Sequence, residues 1–330
     1  MSAAVENLGY IEDREHQDKF AAESNALYGS PLDTLQADMD RTAFPFRAAA
    51  YALRGSRYVK EQDKLLLLQA LSQGRVGSCV GWGEGRKIFL TLCAGVYMRG
   101  EDIATIHDAN GQPVSVSPAW CYAASRQVVN RLGRGDGSNG SWAARATAEM
   151  GFLFEMRYPN GFDASHYSEA DCRNWARNGV PKASIELAAA QRFRGRARVE
   201  TFEEAVALVQ AGYLMNVCGF DKPVDTRDDD GFCRIGGRWA HSQTGGLCYV
   251  VYKHKPGVTK RGIGILNSHG SSRYGGPKGA LTPDLPSGAY IFEEKSFQRG
   301  LDKGDTWVSF DLEGLRPAAK RWEEKVPNAA

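Results

Sequence analysis

Between Trp82 and Met98 the apolar residues Ile88, Phe89, Leu92 and Cys93 recur at helical spacing. That pattern predicts a buried helix with Cys79 in its first turn. Gly81, Gly83 and Gly85 oppose it by about 1 kcal/mol each, so the helix requires close neighbours that admit only small residues. Similar spacing marks Ala143 to Met150 and Ala183 to Phe193. Further on the pattern changes. Gly245-Gly246-Leu247-Cys248-Tyr249-Val250-Val251-Tyr252 and Gly262-Ile263-Gly264-Ile265-Leu266-Asn267 are rich in β-branched and aromatic residues, and predict two neighbouring strands. Trp307-Val308-Ser309-Phe310 offers one more.

Four segments follow from this patterning. Residues 1–60 are polar and mixed, with helical spacing only around Leu32 to Ala48, and are expected to form an N-terminal arm. Residues 61–198 hold most of the helical periodicity and form a helical lobe carrying Cys79; residues 199–300 form a β-rich lobe. Residues 301–330 are a C-terminal extension with a polar tail from Arg316. A chain of 330 residues is long enough to bury the core of two such lobes.

The first of these segments has no basic-then-apolar signal pattern at Met1 to Asn7, and the longest apolar run, Ile88 to Met98, is too short to span a membrane. With 41 basic and 39 acidic residues the net charge is +2, which argues for neither a nucleic-acid nor an acidic partner. Seven cysteines without disulfide-scaffold spacing are expected to be reduced thiols. The expected location is therefore the cytoplasm, or a virion if the chain is phage-encoded. Asp228-Asp229-Asp230-Gly231 lacks the bidentate Glu of a calcium loop, Gly237 standing in its place, and is expected to be a solvated loop. Arg192 to Arg198 reads as a solvated basic face. No metal and no cofactor is implied.

The candidate chemistry lies in Gln73-Gly74-Arg75-Val76-Gly77-Ser78-Cys79. A cysteine attacks a carbonyl as the thiolate, and a helix N-terminus and an imidazolium both favour that anion, so the Cys79 pKa is expected to be depressed. Downstream stand His241 in Trp239-Ala240-His241 and Asn267 in Leu266-Asn267-Ser268-His269-Gly270. Two neighbouring strands bring such residues side by side, one imidazole nitrogen facing the thiol and the other held by the amide. The other six cysteines, of which Cys93, Cys218 and Cys248 lie in apolar runs, are expected to be inert buried thiols.

With these segments the chain resembles the papain-like cysteine peptidases, whose nucleophile motif Gln-Gly-x-x-Gly-Ser-Cys is reproduced from Gln73 to Cys79. Asn267-Ser268-His269-Gly270, Tyr274-Gly275-Gly276 and Gly288-Ala289-Tyr290-Ile291 resemble the family's closing motifs. Ser117 to Trp120, Gly135 to Ser141, Ala148 to Phe152 and Tyr158-Pro159 resemble its helical lobe. The resemblance spans about two thirds of the chain, roughly 73 to 295. It implies an α+β, two-lobed papain-like fold, with a helical lobe, an antiparallel β-barrel-like lobe and the active-site cleft between them. It also implies Cys79 as nucleophile, His241 as general base and acid, Asn267 as its orienter and Gln73 as oxyanion donor. Gly77, Ser78, Gly137, Asn139, Gly140 and Ala240 would line the path of a protein or peptide substrate.

The chain departs from the family at Val76, where many relatives have a disulfide cysteine, at Val80, where an aromatic is usual, and at His269, where a tryptophan covers the His–Asn pair. The separations from Cys79 of 162 residues to His241 and 188 to Asn267 exceed the family's about 130–150, which suggests an insertion near Asp221 to Arg238. Two rival readings remain: a papain-fold structural or virion-associated protein with weak or no catalysis, whose cleft binds an assembly partner, and another acyl transferase or amidase using the same triad.

Overall fold

The computed structural model describes residues 6–7, 10–28, 72–99, 114–133, 135–224, 226–255, 258–270 and 288–312. Leu32 to Ala48, Tyr274-Gly275-Gly276 and the tail from Arg316 lie outside the described residues. Strand β1 (Glu6–Asn7) and helix α1 (Arg14–Tyr28) precede α2 (Cys79–Arg99), α3 (Pro118–Gln127), α4 (Gly140–Glu149), α5 (Glu169–Asn178) and α6 (Lys182–Ala189). The chain continues through β2 (Phe193–Arg198), α7 (Phe202–Gln210), β3 (Met215–Cys218), β4 (Lys222–Pro223), β5 (Ile235–Gly237) and β6 (Trp239–Ala240). Then come β7 (Ser242–Lys255), β8 (Val258–Leu266), β9 (Ala289–Glu293), α8 (Glu294–Leu301) and β10 (Thr306–Leu312).

Six strands form an antiparallel sheet in the order β2-β10-β3-β7-β8-β9. Alternation along the strands gives the sheet two apolar faces. One shares a core with the helices of the first half, where Ile88, Phe89, Trp120 and Phe152 meet Leu247, Val250 and Ile291. The other is closed by α7 and α8, through Phe202, Val206 and Phe297 against Met215, Ile263 and Ile265. The architecture is therefore the expected α+β one: a helical part packed on one face of the sheet through a shared core, with a second core on the other face.

The close packing of α2 explains two of its glycines. A Cβ on Gly81 would stand 2.3 Å from the Pro118 carbonyl oxygen, and one on Gly83 would stand 2.5 Å from Asn216 Oδ1 and 2.7 Å from Ser242 Oγ. Glycine's low helix propensity is accepted there because backbone and strand approach too closely for a side chain.

Two elements differ from the sequence expectation. Helix α1 lies in the arm where no helical spacing stood out, because it is mostly polar and anchors on Phe20 and Ala21, which pack against Ala144 and Trp307. Strand β10 is not peripheral: it pairs with both β2 and β3 inside the sheet. The region expected as an insertion holds the small antiparallel pair β4–β5, and Asp228 Oδ1 accepts from the backbone N–H groups of Asp230 at 3.0 Å and Phe232 at 2.9 Å.

Candidate active site

Cys79 is the first residue of α2, so the helix N-terminus is directed at its side of the molecule. The turn before it is held by Gln73. Its Nε2 donates to the Val76 carbonyl at 3.0 Å, its Oε1 accepts from Ser268 Oγ at 2.9 Å, and its own carbonyl accepts from the Tyr167 hydroxyl at 3.0 Å. The Gln73 N–H donates to the Ser268 carbonyl at 3.1 Å. These bonds tie the cysteine turn to the residue after Asn267, across nearly two hundred positions of sequence.

His241 stands between β6 and β7, buried, with Nε2 at 2.8 Å from Asn267 Oδ1. The same oxygen accepts the Ser268 backbone N–H at 2.8 Å and Gln243 Nε2 at 3.3 Å. A backbone N–H cannot accept, so the Asn267 atom facing it is the oxygen, and His241 Nε2 carries a proton. Both chain neighbours of His241 lie in the surroundings of Cys79. Ala240 packs against the cluster of Tyr10, Cys79, Val80, Ala143 and Cys218, and the Ser242 backbone N–H favours the anion of Cys79.

The His241 ring is covered from more than one direction. Trp239 stacks on it with centroids 4.3 Å apart and planes at 25°, while His269 lies 4.3 Å away at 38°. His269 therefore takes a covering position, as its place in the sequence suggests, but it shares that position with Trp239, which the sequence reading had not assigned.

Cys79 departs from expectation in its proton affinity. Burial pushes the thiol up to about 12, against the backbone N–H groups of Ser242, Val80 and Cys79 itself, which favour the anion. The physical reason is that the side chain is fully enclosed, so desolvation outweighs the helix terminus. All seven cysteines are free and buried, and burial likewise raises Cys93, Cys121, Cys172 and Cys218.

The cover over the thiol is the N-terminal arm. Strand β1 pairs in parallel with β6, Glu6 opposite Trp239 and Asn7 opposite Ala240. Tyr10 then bridges to Ser138, and the Ile11 N–H donates to the Ser138 carbonyl at 2.6 Å. The arm thus runs between the residue preceding His241 and the glycine loop of the helical side, and Tyr10 joins the buried cluster that holds Cys79.

The expected substrate-lining residues divide accordingly. Ala240 and the glycine loop present backbone edges, and the arm occupies them. Ser78 is instead buried against the Tyr167 hydroxyl at 3.1 Å. Asn139 caps α4, accepting from the Trp142 N–H at 2.9 Å, and the Gly140 N–H donates to Asp305 at 2.8 Å. The Gly137 N–H donates to the Tyr122 hydroxyl at 2.8 Å, and its carbonyl accepts from Arg126. Gly77 is half-buried in the turn before Cys79.

Several polar residues around the site were not anticipated. Glu84 and Lys87 on α2 form an enclosed ion pair at 2.7 Å, joined by Asn216, Thr147 and Ser309. Gln243 and Tyr290 stand behind Asn267. The signal available for them was the polar run Ser242-Gln243-Thr244 opening an otherwise apolar strand. Among the described residues, no cluster of three or more His, Cys, Asp or Glu suits a metal ion, and no helix is long and apolar enough to cross a membrane.

Fold and site together define a two-lobed α+β protein with a cysteine at a helix N-terminus, beside a buried histidine–asparagine pair. The solved structures to which it is similar are papain-like cysteine proteases. They include xylellain, a cysteine protease from Xylella fastidiosa, at 12% identity and a TM-score of 0.47, covering 83% of this chain and 91% of that one. Procathepsin B S9 from Trypanosoma congolense matches at 11% identity and 0.48, covering 83% and 79%. Procathepsin L 3 of the Tenebrio molitor larval midgut matches at 14% and 0.40, covering 89% of each chain. No protein-family model and no curated protein matches the chain.

Proposed function

We propose that this chain is a cysteine-type peptidase that hydrolyses peptide bonds through a Cys79 thioester. The observation that carries this reading is the His241–Asn267 pair at 2.8 Å, with Ala240 packed against the cluster that holds Cys79 and the Ser242 backbone N–H favouring the Cys79 anion. His241 Nδ1 takes the thiol proton and the sulfur attacks the carbonyl carbon, forming the C–S bond. The oxyanion is held by the Cys79 N–H and the Gln73 amide, which has two N–H groups, one of them directed to Val76. Collapse breaks the C–N bond as His241 gives its proton to the leaving amine. Water, giving a proton to His241, then attacks the thioester; the new C–O bond forms, the C–S bond breaks to release the acid, and His241 returns the proton to the sulfur.

The cleft edges fit an extended peptide, because Ser138 and β6 already hold one in the arm. A substrate must therefore displace Glu6 to Ile11. The complete burial of Cys79 favours one rival, a structural protein of papain-like form whose cleft holds a partner segment and not a substrate. Turnover of a peptide pool by the full chain, set against Cys79→Ala, separates the two. Hydrolysis lost in the variant supports the peptidase, and absence of hydrolysis by both supports the structural protein.

A further inference from the structure

We propose that Gln243 and Tyr290 are positioning residues that lock the orientation of Asn267 and, through it, the protonation of His241; the proposal rests on the reading of His241 as catalytic base. Both side chains are buried, Gln243 on β7 opposite Val217 of β3 and Tyr290 on β9 opposite Ile265 of β8. The Tyr290 hydroxyl and Gln243 Oε1 are 2.6 Å apart, and Gln243 Nε2 is 3.3 Å from Asn267 Oδ1.

Each of these groups has two possible orientations, and one backbone N–H chooses among them. The Ser268 N–H at 2.8 Å requires an acceptor, which makes that atom of Asn267 the oxygen. Gln243 must then turn its NH2 toward Asn267 and its oxygen toward Tyr290, whose hydroxyl donates. The amide of Asn267 has no counterweight on its other side, since its buried Nδ2 has no partner among the described residues. Its orientation rests on the donors gathered at Oδ1. With that oxygen facing the ring, the neutral imidazole holds its proton on Nε2 and leaves Nδ1 basic, as proton abstraction from a thiol requires. A turned amide would reverse the tautomer and place the hydrogen on the wrong nitrogen.

The test uses the full chain labelled with 15N in its histidine rings, at pH 8, with the His241 signals assigned by their loss in His241→Gln. The wild type is expected to show the Nε2–H tautomer. Gln243→Glu sets a carboxylate against Asn267 Oδ1 and is expected to move His241 toward Nδ1–H. Gln243→Met gives a mixture, and the near-isosteric Tyr290→Phe gives a smaller shift in the same direction. In peptide turnover kcat falls about tenfold or more in Gln243→Glu, and severalfold in Tyr290→Phe, with KM within about twofold, the scale of one or two lost hydrogen bonds.

A merely structural Gln243 would lower the melting temperature and leave the tautomer alone. Folded variants with the wild-type tautomer and wild-type kcat overturn the proposal. Should the larger substitutions fail to fold, Tyr290→Phe decides it by the same readouts. If the wild type hydrolyses no peptide, the peptidase reading falls, and the tautomer shift alone decides the positioning role.

Discussion

Under the proposed mechanism, Gln73 acts in two separable ways in the turn before Cys79. It offers an amide to a developing oxyanion, and it joins Val76 to Ser268 by bonds of 3.0 and 2.9 Å. Gln73→Ala removes both, so two effects are expected together. The kcat should fall by about 10²–10³ with KM nearly unchanged, as for loss of an oxyanion donor. Stability should fall by about 1–3 kcal/mol, because the Val76 and Ser268 groups lose a buried partner. Steady-state kinetics and denaturant titration read the two separately, and a loss of stability with full-rate hydrolysis would remove the catalytic role while leaving the structural one. At this scale the sequence was most legible: the types and order of Gln73, Cys79, His241 and Asn267 were visible in short local motifs. Trp239, Gln243 and Tyr290 were not, since a tryptophan or glutamine on a strand has the same local pattern whether it faces a catalytic ring or a plain core.

Helix α2 combines Cys79 at its start with an enclosed ion pair further along, Glu84 and Lys87 at 2.7 Å, with side chains 0% and 1% exposed. Removing one partner leaves a buried charge without its counter-charge, and Lys87→Met is expected to cost about 3–5 kcal/mol. Replacing both, as Glu84→Gln with Lys87→Met, should recover part of that loss. Equal stability of wild type and Lys87→Met in urea titrations would show that the pair is dispensable.

Close to the Cys79 cluster, Asp305 just before β10 accepts the N–H groups of Gly140 at 2.8 Å and Ser141 at 2.9 Å, at the start of α4. Burial nonetheless raises its pKa from 3.8 to about 6. A carboxyl raised in the folded state binds its proton more tightly there than in the unfolded chain. Its contribution to stability is fully present below pH 3.8 and is lost as pH rises through about 6. The stability of wild type relative to Asp305→Asn should therefore increase, by up to about 3 kcal/mol, as pH falls from 7 to 4. A difference independent of pH would refute the raised value.

On the scale of the whole molecule, the arm, the helical side and the sheet converge on one thiol. Tyr10 from the arm, Ala143 from α4 and Cys218 from β3 share one buried cluster with Cys79. Removal of residues 1–11 takes away the cover and admits water, so the Cys79 pKa should fall from its buried value of about 12. Alkylation by iodoacetamide at neutral pH should then accelerate at Cys79 by about tenfold or more, the gain in thiolate being partly offset by its lower nucleophilicity. Tyr10→Ala should show a smaller increase, and Cys93, Cys121 and Cys172 should stay unreactive in both. Adduct mapping by mass spectrometry checks this, and an unchanged rate at Cys79 in the truncated chain would place the barrier elsewhere.

The sequence alone determined the parts whose physics is local. A glycine-rich turn ending in a cysteine ahead of helical periodicity predicts a helix N-terminus, and α2 begins at Cys79. Runs of β-branched and aromatic residues between glycines predict strands, and β7 and β8 are paired neighbours that bring Asn267 beside His241. Tertiary structure alone decided how far the thiol is withdrawn from water, because the groups enclosing it come from Tyr10, Ala143 and Cys218, far apart in sequence. It also decided the chain from Tyr290 through Gln243 to Asn267, which requires three strands in register. A local pattern reports a residue's propensity and the face it favours; a proton's affinity and an amide's orientation depend on which distant groups surround it once the chain has folded.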